Sequence, residues 1–472
     1  MLMAYNHIIL QKDVQNRDRT MQITFLGATG TVTGSKYLVA FDDKKILVDC
    51  GLFQGQKEWR LRNWQSLPIE PKDLNAVILT HAHIDHSGYL PLLVKNGFHR
   101  TIYCTHGTKD LCDILLPDSA HLQEEDAKHA NQHHYSKHDP ALPLYTLKDA
   151  VRSLKQFSSH AYHSPVRLDQ HTYFEFIPAG HIIGASMVRL IHRGISVLFT
   201  GDLGRLNDPV MKAPEWIDQA DYLVTESTYG DRLHERDDPK LLLKNIIHQT
   251  INRGGSLVIP AFAVGRSQLI LHYLSELRKE NAIPYIPIFL DSPMAINATE
   301  ILHRHINDLR LSKTACAELC DIATYVQTAD ESMQLDIHKM PKIIISASGM
   351  ATGGRILYHL QTYATDARNT ILFTGFQGIG TRGADMVNGK KEIKLHGQFI
   401  PIRAQIEVIR STSAHADYEE ILTWLQHFKE PPKQTFITHG EPEAAMCLKD
   451  KIESSFGWDC IVPKYAQTEQ LK

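Results

Sequence analysis

The sequence predicts an α/β protein in which one domain is begun, interrupted by a second and then completed. Three observations predict it. Up to about residue 230, short apolar runs bounded by glycine-rich turns read mainly as strands. From about Asp231, strand-like and helix-like segments alternate, which is the rhythm of βαβ units and a mostly parallel sheet. After Ala404 the chain returns to strand ends that carry histidines, as in its first part. The divisions read as a tail over 1–20, a first part over 21–230, an insertion over 231–403 and a closing part over 404–472.

In chain order, Met21–Leu26, Tyr37–Phe41 and Ile46–Asp49 read as strands, with Gly27, Gly30 and Gly34 punctuating the first connection. Ala76–Leu79 is a short buried strand, and a helix is expected over His86–Lys95. Phe174–Ile177, Met187–Ile191, Val197–Phe199 and Tyr222–Val224 read as further strands. In the insertion, helices over Leu241–Ile251, Ser267–Arg278, Ala295–Ile306 and Arg355–Thr362 alternate with strands Ser256–Pro260, Pro287–Leu290, Lys342–Ser346 and Thr370–Phe373. The closing part offers the strand Gln405–Ile409, a helix from Tyr418, the strand Thr435–Thr438 and a last helix.

The 472 residues are 43% hydrophobic and 22% charged, ordinary for a globular chain of two to four domains. The net charge of -3 does not announce a nucleic-acid binder, although Arg382, Lys390, Lys391, Lys394, Arg403 and Arg410 form a locally basic stretch. The cysteines number seven with no C-x-x-C pair, and Cys316 and Cys320 are spaced by one helical turn. This suits a reducing compartment, and a cytoplasmic location is expected. There is no apolar run of membrane-spanning length and no signal-peptide pattern. The compositional outlier is histidine, at 27 residues.

The central signal is Thr80-His81-Ala82-His83-Ile84-Asp85-His86-Ser87-Gly88. It follows a buried strand and opens a helix. His81, His83, Asp85 and His86 are all suitable metal donors, and a strand-to-helix turn can splay them around one point or divide them between two. More ligands must come from elsewhere. Ala179-Gly180-His181, Thr200-Gly201-Asp202 and Thr438-His439-Gly440 each set a donor beside a glycine after a strand, and Asp49 ends another strand. Singly each is weak, since a strand-end aspartate is often a helix cap. Together with the first motif they form a constellation. The stretch His121–His138 holds His121, His129, His133, His134 and His138, which reads as polar helix and loop ahead of a further metal site.

These residues resemble the metallo-β-lactamase superfamily. The insertion, with Thr225-Glu226-Ser227-Thr228-Tyr229 and Ser411-Thr412-Ser413-Ala414-His415-Ala416-Asp417, narrows the resemblance to its β-CASP branch of nucleases. Supporting matches are Ser346-Ala347-Ser348-Gly349-Met350, Gly353-Gly354-Arg355 and Gly375-Phe376-Gln377. The resemblance runs from about Met21 to about Pro463. It is similar to bacterial and archaeal RNA exo- and endonucleases and to the pre-mRNA 3′-end cleavage subunit.

The resemblance implies an αββα sandwich with a smaller inserted α/β domain. It implies one zinc on His81, His83 and His181, another on Asp85, His86 and His439, and Asp202 between them. Manganese or iron fits the same donors. Asp49 would orient ligands. Cleavage of RNA phosphodiesters would proceed by two-metal activation of water, with His415 as general acid and Glu226 fixing its tautomer. Ser348, Gly349, Met350 and Arg355 would hold substrate phosphate. A histidine at position 439 resembles the branch members that cut RNA. RNA is thus the expected partner, with no membrane, and a homodimer is compatible. The rival readings are a hydrolase of the same fold acting on DNA or an acyl compound, and a non-catalytic RNA-processing scaffold. The filled ligand positions argue against the scaffold.

Overall fold

The computed structural model describes residues 21–133, 138–375, 377–378 and 380–472. The expected tail over 1–20, His134 and Phe376 lie outside the described residues. The chain divides into two compact units. The first takes the residues up to Arg205, Ala213–Arg232 and His415–Lys472, and the second takes Leu206–Lys212 and Leu233–Ala414.

The first unit is an αββα sandwich. One seven-stranded sheet runs in the order Thr468–Leu471, Met21–Phe25, Tyr37–Phe41, Lys44–Val48, Ala76–Ile78, Ile102–Thr105 and Phe157–His160. The other runs Cys460–Ile461, Gln434–Ile437, Tyr222–Thr225, Ile195–Phe199, Ser186–His192, Thr172–Pro178 and Val166–Arg167. The closing part of the chain therefore supplies edge strands to both sheets. In Met21–Phe25, Met21, Ile23 and Phe25 turn inward while Gln22 faces solvent, as the two-residue period requires. Phe25, Val39 and Ile78 of one sheet interlock with Phe174, Phe199 and Phe436 of the other in one buried cluster. Each fully buried phenylalanine there contributes about 1.5–3 kcal/mol. Helix His106–Gln132 covers the first sheet, and helix Pro442–Phe456 covers the second.

The expected helix over His86–Lys95 is two helices, Ile84–Ser87 and Leu90–Lys95. Pro91 has no N–H to return to Ser87, so the ladder breaks there. Helix His106–Gln132 is longer than its sequence suggests, because it carries Pro117 in its interior.

The second unit holds a six-stranded parallel sheet in the order Thr324–Tyr325, Ile288–Asp291, Ile343–Ser346, Leu257–Pro260, Thr370–Thr374 and Gln405–Ile409. Its central strands are wholly buried, which is why they read as continuous apolar runs. The segment Leu206–Lys212 joins this unit because Met211 bridges Leu309 and Lys212 donates to the Asp308 carbonyl. Among the described residues, no helix is long and apolar enough to cross a membrane.

Candidate metal centre

The first unit brings its donors together at the C-terminal ends of its strands. His81, His83, Asp85 and His86 follow Ala76–Ile78, His181 follows Thr172–Pro178, Asp202 follows Ile195–Phe199, and His439 follows Gln434–Ile437. Ligands on such strand ends are held by the sheet hydrogen bonds beneath them. The 81–86 loop is clamped through its backbone. Ser35 donates its N–H to the Asp85 carbonyl at 2.9 Å, and Cys50 donates to that of His86 at 2.7 Å. A Cβ on Gly51 would lie 1.6 Å from the Asp85 carbonyl oxygen, so only glycine permits this approach.

Two groups of donors form. The ligand atoms of His81, His83, His181 and Asp202 lie within 4.8 Å of one another, and so do those of Asp85, His86 and His439. Asp202 stands between the groups. Its Oδ2 is 3.4 Å from both His81 Nε2 and His181 Nε2, while its Oδ1 is 3.2 Å from His86 Nε2 and 3.5 Å from His439 Nδ1.

The donor set fits metal ions on three observations. First, facing ring nitrogens are separated by 3.2 Å for His81–His83 and His83–His181, and by 3.1 Å for His86–His439. Zinc–nitrogen bonds of about 2.0–2.1 Å in a tetrahedron put neighbouring nitrogens about 3.3 Å apart. Second, the opposite ring nitrogens are already taken. His86 Nδ1 meets Asp49 Oδ2 at 2.8 Å, His81 Nδ1 meets Thr80 Oγ1 at 3.1 Å, and His439 Nδ1 meets Thr228 Oγ1 at 3.1 Å. Such outer partners fix which nitrogen faces the metal. Third, the buried Asp202 Oδ1 faces ring nitrogens of His86 and His439 without a well-directed hydrogen bond from either, a costly state for a carboxylate that a cation there would relieve.

For His81, His83 and His181 the electrostatics agree. Burial, then the neighbouring His81, lowers the His83 pKa to about 3. Burial also lowers that of His81, and burial with His415 drives that of His181 well down. Neutral imidazole is the form that ligates. Burial opposes charge on Asp202, but His439, His86 and His81 hold its pKa well below the usual carboxylate range. For His86, burial is outweighed by Asp202 and Asp49, which raise its pKa. Asp49 is itself fixed by the Thr80 N–H at 2.7 Å and the Thr80 hydroxyl at 2.8 Å.

Beside Asp202, His415 Nδ1 lies 3.2 Å from each oxygen of Glu226. Glu226 is buried and accepts the Leu203 N–H at 2.7 Å. Burial works against a charged His415, but Glu226 and then Asp202 raise its pKa to about 9. His415 is held in place by a bridge to Gly204.

Other sequence expectations fall elsewhere. Ser348, Gly349 and Met350 follow the strand Ile343–Ser346 in the second unit, where the Thr352 N–H donates to Ser348 Oγ at 3.0 Å. The Arg355 guanidinium is engaged by Asp291 at 2.6 Å, by the Gln327 carbonyl at 2.7 Å and by the Val326 carbonyl at 3.1 Å. In the histidine-rich stretch, His121 and His129 lie on the long helix, and no ligand cluster forms there among the described residues. Thr80 and Thr228 pair with His81 and His439, although within their motifs nothing in the sequence distinguishes them. A hydroxyl next to a ligand carries no pattern of its own.

Comparison with known proteins matches three family profiles: the metallo-beta-lactamase superfamily over residues 29–167, the Beta-Casp domain over 267–386, and the Zn-dependent metallo-hydrolase RNA specificity domain over 400–463. A ribonuclease of Thermus thermophilus is 32% identical over 438 residues, covering 91% of this chain and 95% of the relative. An RNase J-like protein of Methanocaldococcus jannaschii is 31% identical, covering 89% and 92%. A transcription termination factor of Methanosarcina mazei is 29% identical, covering 94% and 70%. Among solved structures, a protein of unknown function from Enterococcus faecalis shares the fold at TM-score 0.53 and 14% identity, over 96% of this chain and 100% of that one.

Proposed function

The chain belongs to the metallo-β-lactamase superfamily, in its β-CASP branch, and on that premise we propose that it is a zinc-dependent ribonuclease that hydrolyses phosphodiester bonds. The observation that carries this reading is the pair of donor groups joined by Asp202, with the His415–Glu226 pair beside them. The RNA specificity profile and the ribonuclease relative support RNA as the substrate.

His81, His83 and His181 would hold one ion, Asp85, His86 and His439 the other, with Asp202 shared. Zinc bound there supplies Lewis acidity toward the phosphate and a water acidic enough to act as nucleophile at neutral pH. The protein's own residues do the rest. Asp49, Thr80 and Thr228 orient the imidazoles. Glu226 accepts the Nδ1 proton of His415, which turns Nε2 to the reacting side and stabilises the imidazolium. His415 then delivers a proton to the leaving ribose oxygen, a step worth about 10²–10⁴-fold. Phosphate recognition falls in this reading to the turn Ser348–Met350, and Arg355 fixes that turn's surroundings through Asp291.

The test is incubation of purified protein with end-labelled RNA and DNA of one sequence, with and without chelator. RNA cleavage that stops on chelation and returns with zinc is expected. Equal cleavage of DNA would remove RNA from the proposal, and no cleavage of either would remove the nuclease.

A further inference from the structure

Among the described residues, one cluster apart from the centre described above consists of soft metal donors. Helix Pro293–Arg304 ends with His303 in its last turn, and helix Lys313–Asp321 carries Cys316 and Cys320 four residues apart on one face. The two helices pack on each other within the second unit. The ligand atoms of His303, Cys316 and Cys320 all lie within 4.8 Å of one another. Both cysteines are free thiols.

The geometry points to a third metal site, and we propose that His303, Cys316 and Cys320 bind a zinc ion that ties these two helices together. The spacing is the first argument. Zinc–sulfur and zinc–nitrogen bonds of about 2.3 Å and about 2.05 Å at the tetrahedral angle put sulfur and nitrogen about 3.6 Å apart. Cys316 Sγ is 3.7 Å from His303 Nδ1. The second argument is donor softness. Two thiolates and an imidazole select zinc over magnesium or calcium. The third is the surroundings. Cys316 is buried, Cys320 is half-buried and His303 is exposed, so the site has a sheltered floor and an open mouth where water completes the coordination. The Tyr325 hydroxyl is buried beside Cys320 and pairs with its sulfur. A thiolate held on a metal would accept that hydroxyl's proton as a hydrogen bond, the outer support such sites use.

The competing account is a simple S–H···N hydrogen bond between Cys316 and His303, which the same 3.7 Å permits. Metal counting and cobalt substitution on the full chain separate the two. The catalytic donors include no cysteine, so a thiolate-to-cobalt charge-transfer band reports this cluster. The wild type should show that band, and both a Cys316→Ser/Cys320→Ser double variant and His303→Ala should hold one metal ion per chain fewer. His303→Ala changes an exposed side chain, so its result stands even where the double variant fails to fold. Absence of the band from the wild type, an unchanged metal count in His303→Ala, or a Cys316–Cys320 disulfide in freshly purified protein would each overturn the proposal.

Discussion

The half-buried His415 and the buried Glu226 form a pair in which one imidazole nitrogen, Nδ1, is 3.2 Å from both carboxylate oxygens. Because Glu226 also accepts the Leu203 N–H, the carboxylate is held in place, and it fixes the ring through Nδ1. His415→Ala is expected to lower kcat by about 10²–10⁴-fold. Its zinc content should match the wild type, since His415 belongs to neither donor group. Turnover and metal analysis on one preparation check this.

Asp49 is expected to act on metal affinity. It is buried, with a left-handed backbone at φ 57°, and its Oδ2 is 2.8 Å from His86 Nδ1. Removing such an outer carboxylate costs about 10–100-fold in metal affinity. Asp49→Ala should therefore lose activity when zinc is buffered low and regain much of it at high free zinc. Titration of activity against free zinc decides the matter; an activity loss that zinc never relieves would assign Asp49 another role.

Gly51 is expected to tolerate no side chain. A methyl group there would meet the Asp85 carbonyl oxygen at 1.6 Å, and both partners are backbone. Gly51→Ala should lower the stability of the first unit by about 1–3 kcal/mol. Displacement of Asp85 and His86 should also weaken metal binding. Denaturant unfolding and zinc competition against a chelating dye measure the two effects.

The second unit carries its own pH signature. His359 is buried between Asp291 at 2.7 Å and Asp336 at 2.6 Å. Burial disfavours its charge, but Asp291 and Asp336 outweigh burial and raise its pKa. Burial likewise opposes the Asp291 carboxylate, yet His359, Ser332 and Arg355 lower its pKa. A raised histidine pKa contributes stability in full below the unfolded value of about 6.5 and loses it as pH rises through the folded value. A lowered aspartate pKa contributes above about 3.9 and is lost as pH falls through the folded value. The Tm difference between wild type and His359→Asn should thus be widest between about pH 4 and about pH 6.5 and narrow on either side. The widest gap should correspond to about 3–5 kcal/mol, the usual cost of breaking a buried pair. A gap that goes on widening as pH rises above about 6.5 would contradict the assignment.

Much of this centre is legible in the sequence. His81, His83, Asp85 and His86 announce themselves because four donors in six residues have no common structural use. His181, Asp202 and His439 are visible because each follows an apolar strand and adjoins a glycine. The second unit's strands are readable because a parallel sheet covered on both faces requires unbroken apolar runs, as in Ile343–Ser346. Other features left no local trace. Pro117 inside a 27-residue helix argues against the helix that packing sustains. The membership of Leu206–Lys212 in the second unit depends on backbone pairing with residues near 309, which no local pattern encodes. For Arg355 the sequence leaves a phosphate contact and a structural salt bridge equally open, because it does not show that Asp291 lies 2.6 Å away.

The most direct test of the account is anomalous diffraction at the zinc edge from crystals of the zinc-loaded protein. Two peaks about 3.5–4 Å apart are expected on either side of Asp202. One should be ringed by His81, His83 and His181, the other by Asp85, His86 and His439. A single peak, or none, among these residues would contradict the account.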